Sequence, residues 1–570
     1  MTISRRSLLI SGTALAALST TACATLGRSQ PAASAPPPLA SAAPPPPIEL
    51  IALGRMGYGP RPGDSVRVAA LGLAAYVDEQ LSPPHGDDPM TAQRLRSATL
   101  PIAYEAEGDY PDTDEQRPLR TLDQQPAELW QLTDDNVPYA EWVRPLDEIR
   151  AAAWIRAAHS PWQLRELLVE FWHDHFNVNA DHDDSQIIAA WPSYDQMIRR
   201  NCLGNFRTFL EEVATSPAML YYLNNASSQA SPANENYARE LFELHTLGAM
   251  HYLNERYQSW RDVPGALAGR AEGFIDDDVY EAARAFTGWT VADGSDTYEG
   301  LVFPNTGAFY YYDGWHDPYQ KRVLAVELPP HSPPMADGRN VLDLLAAHPG
   351  TARHLCHKLC RRLVADDPPL ALVEQAAATW LANQQAPDQI AQTLRVILLS
   401  PEFVATWGQK VKRPFDLAIS FLRAVDAEVT PNADLFSLMG ERGYNQFGWP
   451  APNGHPDIAG YWLSSQIMLG RWNTLLDLCS DWLGAARIDL LGQMPQGSLS
   501  AHQIVAFWGE RLLGQPLPMP LSEQLVAFMA QGGDPDQPPQ RVEDGDEHDL
   551  PDRLISLVTV IGMLPAFQYR

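Results

Sequence analysis

The sequence predicts a mainly α-helical fold: a large multi-helix globular domain with a small β-hairpin insertion and long loops. Apolar residues recur at helical spacing from Ile51 onward, capping residues precede these runs, and glycines follow them. The 570 residues are 45 % hydrophobic and 19 % charged, so the chain can bury a sizeable core and is neither disordered nor fibrous. Asp and Glu number 70 against 41 Lys and Arg, a formal charge of −29 that repels phosphate backbones. Nucleic acid is therefore set aside as a partner.

Residues 1–24 read as a twin-arginine export signal. Arg5 and Arg6 precede the apolar stretch Leu8 to Leu18, which is too short to span a bilayer. Ala22-Cys23-Ala24 offers a small-residue cleavage site, and Cys23 is a candidate for a lipid anchor although Thr20 stands where such signals carry leucine. Residues 25–47 hold eight prolines among Ala and Ser, the composition of an extended tether. The main helical domain is expected over 48–430, with a C-terminal helical region over 431–570 that packs as part of the same domain or apart from it. No later segment is apolar for long enough to be a transmembrane helix. The expected location is the periplasm or cell envelope.

Ser160-Pro161-Trp162-Gln163 supplies an N-cap, a proline at the first helical position and a reciprocal capping residue, and Leu164, Leu167, Leu168 and Phe171 then share a face. Asn234 caps a second helix with Tyr237, Leu241 and Leu244 as its buried stripe and Gly248 as its stop. Asp276 to Asp278 cap a third, Val279 to Thr287, ended by Gly288. Aromatic residues surrounding Asn305-Thr306-Gly307, between 298 and 330, read as a hairpin. Helices are expected again at 340–365, 371–382, 387–399 and 415–427. Gly440 to Gly454 is a turn-rich belt, a long functional loop or a domain seam, and 531–552 reads as an acidic surface excursion. Leu394–Phe403 is echoed by Leu557–Phe567, each a helix ended by Pro and Phe.

Four motifs, Phe171-Trp-His-Asp-His-Phe-Asn-Val178, Asn234 to Gly248, Ala283-Arg-Ala-Phe-Thr-Gly-Trp289 and His348-Pro-Gly-Thr-Ala352, resemble the domain-of-unknown-function 1800 family. The resemblance extends from about Ala52 to the C-terminus and includes Lys358, Asp366-Asp367-Pro368 and Ser400 to Phe403. It implies a large, mainly helical exported bacterial protein of unestablished activity, often encoded beside a second exported family. The insert from Leu253 to Gly273 departs from the family pattern and lengthens one connection.

The residue types suggest a metal-dependent, hydrolytic or oxidative enzyme with a His/carboxylate site. His173 and His175 share a face if the chain there is extended and diverge by about 200° if it is helical. The polar residues that follow suggest that the helix ends near His173. Glu240 and Glu243 lie on one helix face, with His245 nearby, so His173, His175, Glu240, Glu243 and His245 form the candidate ligand set for a divalent transition metal. His316 and Asp317, an acid–base pair that could close over that helix end, and Arg239, a cation for the nearby carboxylates, complete the set as candidate catalytic residues. Each has a structural alternative: both histidines would suit a helix C-terminus, Arg239 reaches Glu235 and Glu243 as an ion pair, and Glu281 pairs with Arg284. His354, His357 and Cys360 only superficially suggest zinc. The alternative function is a non-catalytic envelope protein that binds a partner, an unidentified substrate or envelope protein being the other half, with its polar motifs forming a structural network.

Overall fold

The computed structural model describes residues 45–181, 184–297, 300–539 and 550–570. The leader and nearly all of the tether lie outside them, as do Tyr298 and residues 540–549 of the acidic excursion. Helices dominate the described residues, and the only strands there form four two-stranded antiparallel sheets. None of the described helices is long and apolar enough to cross a membrane.

The centre of the fold is the Gln163–His175 helix, in which Asp174 alone is not fully buried. Its apolar residues meet a large core: the Trp172 ring lies 5.7 Å from Phe176 and 5.1 Å from Phe209, and its indole N–H donates to the Cys202 carbonyl at 3.0 Å. Glu166, Glu170, His173 and His175 are buried on the same helix. Water cannot satisfy such side chains, so each needs a partner inside the protein. The helix also continues through His175 instead of ending near His173. The two imidazoles therefore point in different directions, because residues two apart on a helix do not share a face.

Several sequence expectations shift. Ser160 accepts from the Trp162 N–H at 3.1 Å while also ending the preceding Arg144–His159 helix, so the next helix begins only at Gln163. The second motif helix, Asn236–Glu240, passes into a π-helical turn over Leu241–His245. The wider turn alters the phase: His245 is fully buried and Leu244 only half-buried, the reverse of a uniform α-helical stripe. The third runs Asp276–Ala285, with Asp278 accepting from the Ile275 N–H at 3.0 Å. The helix expected at 340–365 is two, Ala336–Ala347 and Pro349–Leu363, because Pro349 keeps His348 extended and starts a new helix. Asn305-Thr306-Gly307 is not a hairpin turn. It lies within a strand, Asn305–Tyr311, paired with Trp289–Asp293. Gly307 is required there because a Cβ would stand 2.4 Å from the Trp130 ring.

Residues beyond 430 fall in the same compact unit, Ala43–Arg570. Glu428–Val429 pairs with Ala486–Arg487, and the Ser465–Cys479 helix packs on Leu550–Met563. The echoed segments are alike in structure: each helix is followed by a proline-started turn of helix that buries a phenylalanine, Phe403 or Phe567.

The belt between Gly440 and Gly454 docks on the exit of the central helix. Phe447 accepts from the Ala180 N–H at 2.8 Å, and the Asn177 amide donates to the Trp449 and Ala451 carbonyls at 3.0 and 2.8 Å. Gly454 has φ +70°, and a Cβ there would stand 2.0 Å from the Asp174 carbonyl oxygen. Gly454→Ala combines a disfavoured backbone conformation with this clash. It is expected to destabilise the fold by more than about 1 kcal/mol, read as a lower urea midpoint.

Candidate functional site

Four ionisable side chains near the end of the central helix enter different surroundings. Glu170 accepts from the Tyr58 and Tyr444 hydroxyls at 3.1 and 2.6 Å and lies 2.8 Å from Arg362 and 2.6 Å from Arg413. Arg362 turns its other side to Asp416, at 2.9 and 3.1 Å, and Arg570 reaches Asp416 at 3.2 Å. Arg362 and Asp416 are each only 1 % exposed. Burial alone would raise the Asp416 carboxyl, but Arg362, Arg570 and Arg413 outweigh it and hold the group far below the usual carboxylate range. Asp174 is likewise held low, because Arg413 and His455 outweigh burial, and it accepts from His455 Nδ1 at 2.9 Å.

His173 faces away from this network. Its Nε2 lies 3.0 Å from Asp195, which Arg199 also engages at 2.8 Å, and its ring packs 4.8 Å from Phe447. Burial raises the Asp195 carboxyl, and Arg199 and His173 more than reverse that shift.

His175 enters a third environment. Its Nδ1 is 2.9 Å from Lys358 Nζ, and its Nε2 is 3.2 Å from the His245 carbonyl oxygen. These contacts select the tautomer in which Nε2–H donates to the carbonyl and Nδ1 accepts from the ammonium. The His245 and His354 rings lie 6.1 and 6.4 Å from that of His175. His245 is wholly buried, with neither ring nitrogen hydrogen-bonded among the described residues. Burial, with Lys358 and neighbouring imidazoles, keeps His175 well below its ordinary value and lowers His245 and His354 to about 3. Burial also brings Lys358 down to about 8, against Asp174 and Asp457.

The remaining candidates stand apart. Arg239 lies 3.3 to 3.5 Å from Glu235, Glu243 and Asp276, so the ion-pair alternative describes its contacts. Burial and Glu243 raise Glu240 to about 7, with Arg239 opposing. Asp317 is gripped by Arg284 at 2.7 and 3.0 Å, and the same guanidinium holds Glu281 at 2.9 Å. His316 Nδ1 is 2.9 Å from the Thr287 carbonyl oxygen, and its Nε2 is 3.4 Å from Asp337. The loop carrying His316 and Asp317 thus makes its contacts with the Asp276–Ala285 helix and Asp337.

Of the five proposed metal ligands, His175 and His245 come together, while His173, Glu240 and Glu243 have other surroundings. Among the described residues no group of three or more His, Cys, Asp or Glu is placed to hold a metal ion. Sequence reasoning missed Asp195, Arg362, Arg413, Asp416 and His455. It quoted Lys358 without a role. Asp195 and Arg199 had a local signal, opposite charges four residues apart.

Arg362→Met would leave Glu170 and Asp416 without their shared cation and is expected to cost about 3–5 kcal/mol, measured by urea unfolding at pH 7. The pH dependence has two signs. Asp174, Asp195 and Asp416 have folded pKa values below their unfolded ones, so their stabilisation is present above the unfolded value, about 4, and is lost as pH falls below it and through the lower folded values. Glu240 is raised to about 7, so its ionisation costs stability as pH climbs toward and past that value. Glu240→Gln should therefore be more stable than the parent above pH 7 and converge with it near about pH 4, seen in parallel melting curves.

No curated protein and no solved structure matches the chain. A family model described as protein of unknown function (DUF1800) matches residues 51–569. This match covers nearly the whole chain, including the helix with His173 and His175, the lysine–imidazole cluster and all of the buried ion network but Arg570, and the chain belongs to the DUF1800 family.

Proposed function

We propose that this is an exported cell-envelope protein whose polar motifs serve as a structural network, and that its role is to bind or scaffold a partner without a metal-dependent centre in those motifs. The observation that carries the reading is the separation of the motif side chains into distinct pairings: His173 with Asp195, Asp317 with Arg284, and Arg239 with its three carboxylates. A shared metal would need donors converging on one point, and the predicted donors diverge. Buried pairs such as His173 with Asp195 instead fix the relative positions of the elements that carry them.

Export to the periplasm or cell envelope rests on Arg5 and Arg6 and the short apolar stretch after them, with Cys23 as the candidate lipid anchor and residues 25–47 as the tether. The partner would be another envelope protein, and the co-encoded exported protein that the family resemblance implies is the first to test.

Elemental mass spectrometry on protein matured through its native export route tests this reading. The expected result is substoichiometric transition metal, with His173→Ala lowering the melting temperature and leaving the metal content unchanged. One metal per chain that disappears in His173→Ala or His175→Ala would overturn it.

A further inference from the structure

Only four lysines occur in the chain: Lys321, Lys358, Lys410 and Lys412. Lys321 is paired with Asp337 at 2.7 Å, and Lys410 with Asp366 and Asp457 at 2.9 and 3.0 Å. Lys412 has no carboxylate ion pair among the described residues. Its Nζ lies 2.8 Å from the Ser420 hydroxyl and 4.0 Å from the centre of the Phe567 ring. Lys412 is 8 % and Ser420 3 % exposed.

Both residues line a cleft of about 480 Å³ that is separate from the histidine motifs. Trp407, Phe507, Leu513 and Phe567 supply apolar surface, and Arg61 and Glu510 contribute polar groups. Gly59, with φ +103°, brings backbone close to Ser420: a Cβ at that position would stand 3.0 Å from Ser420 Oγ. A hydroxyl held against an amine without a counter-ion, on the wall of a cleft, has the arrangement of a nucleophile and its base.

We propose that Ser420 and Lys412 form a nucleophile–base dyad for acyl transfer, acting on an ester or similarly activated acyl compound with an apolar acyl group. This goes beyond the structural reading of the motifs and uses none of their residues. The neutral Lys412 amine takes the Ser420 proton as Oγ forms a bond to the acyl carbon. The tetrahedral adduct collapses, the bond to the leaving group breaks, and the leaving group recovers the proton from Nζ. Water, deprotonated by the same amine, then cleaves the acyl-serine ester, releasing a carboxylic acid and restoring the hydroxyl.

The surroundings favour a neutral amine. Burial brings Lys412 down to about 7, Arg570 and Arg471 push in the same direction, and Asp416 opposes them. Arg570 comes from the C-terminal segment, Arg471 from the Ser465–Cys479 helix and Asp416 from the Pro414–Ala424 helix that carries Ser420. Arg61, Glu510 and Arg511 are the other charged groups lining the cleft beside Glu49.

The test uses the full chain, a fluorophosphonate probe read by peptide mass spectrometry, and p-nitrophenyl acetate hydrolysis. The expected adduct is on Ser420, with both rates rising through about pH 7 and falling about a hundred-fold or more in Lys412→Met. Ser420→Ala should lose the adduct and the hydrolysis, and melting curves identify any variant that has not folded. Should Lys412→Met fail to fold, Ser420→Cys is the second variant, its thiol expected to react with iodoacetamide faster than a free thiol at the same pH. Absence of an adduct on Ser420 between about pH 6 and 9, equal labelling in folded Lys412→Met, hydrolysis retained in Ser420→Ala, or an unreactive thiol in Ser420→Cys would each overturn the dyad.

Discussion

The position of Arg362 between Glu170 and Asp416 is the constraint on which the rest of the structure depends. One guanidinium joins two carboxylates from different helices, and its own helix is a third. Removing three charges from water is costly, and only close, multiply bonded geometry offsets that cost. Arg362 meets the requirement by donating from both terminal nitrogens, as a planar guanidinium can and a single ammonium cannot, and Arg413 adds a hydrogen bond to Asp174 and an ion pair to Glu170. Tyr58 and Tyr444 fill further acceptor sites on Glu170, so the network also reaches the bend after the Ile48–Arg55 helix and the docked belt. Movement of any one of these segments would expose or orphan a charge elsewhere in the network.

Full burial of the central helix follows from the same arrangement and explains how its motif is used. A helix covered on nearly every side turns little of its polar surface to solvent, so Glu170 and Asp174 share Arg413, His173 meets Asp195 and His175 meets Lys358. The motif resembles a ligand set because it concentrates ionisable residues in a few positions. Helical geometry then disperses those side chains around the axis. His175 and Lys358 bring together two groups with perturbed proton affinities, beside a His245 ring whose nitrogens have no hydrogen-bond partner among the described residues.

Features that depend on local spacing were legible in the sequence. The helices, the Arg239 pairs with Glu235 and Glu243 and the Glu281–Arg284 pair all follow from positions three or four residues apart. Contacts across long separations were not: Asp317 meets Arg284 from 33 residues away, and Glu170 meets Arg362 from 192. The helix runs on to His175 before the loop that Asn177 and Asn179 signal, and its exact end depends on the docked belt, whose carbonyls take the Asn177 amide. The burial of His245 depends on a π-turn that replaces the α-helical phase with a wider one. The hairpin strand was misplaced because Asn-Thr-Gly is a turn signal, whereas Gly307 serves the close approach of Trp130.

The network also bears on Lys412. Asp416 is the carboxylate in the electrostatic surroundings of that lysine, but Arg362 and Arg570 already engage it at 2.9 to 3.2 Å. Asp416 attracts the Lys412 ammonium, but the positive potential of the guanidiniums around it adds to its own and offsets that attraction. Arg570 and Arg471 add repulsion, so protonating Lys412 requires placing another positive charge in a region already supplied with guanidinium groups. Ser420 can accept a hydrogen bond from the amine but cannot neutralise an ammonium. Arginine is suited to the interior positions because it remains charged and uses several donors, whereas lysine can lose its proton when burial and neighbouring cations disfavour the ammonium. The arginine network that holds the helices together thus also creates the electrostatic conditions for a neutral amine beside the serine.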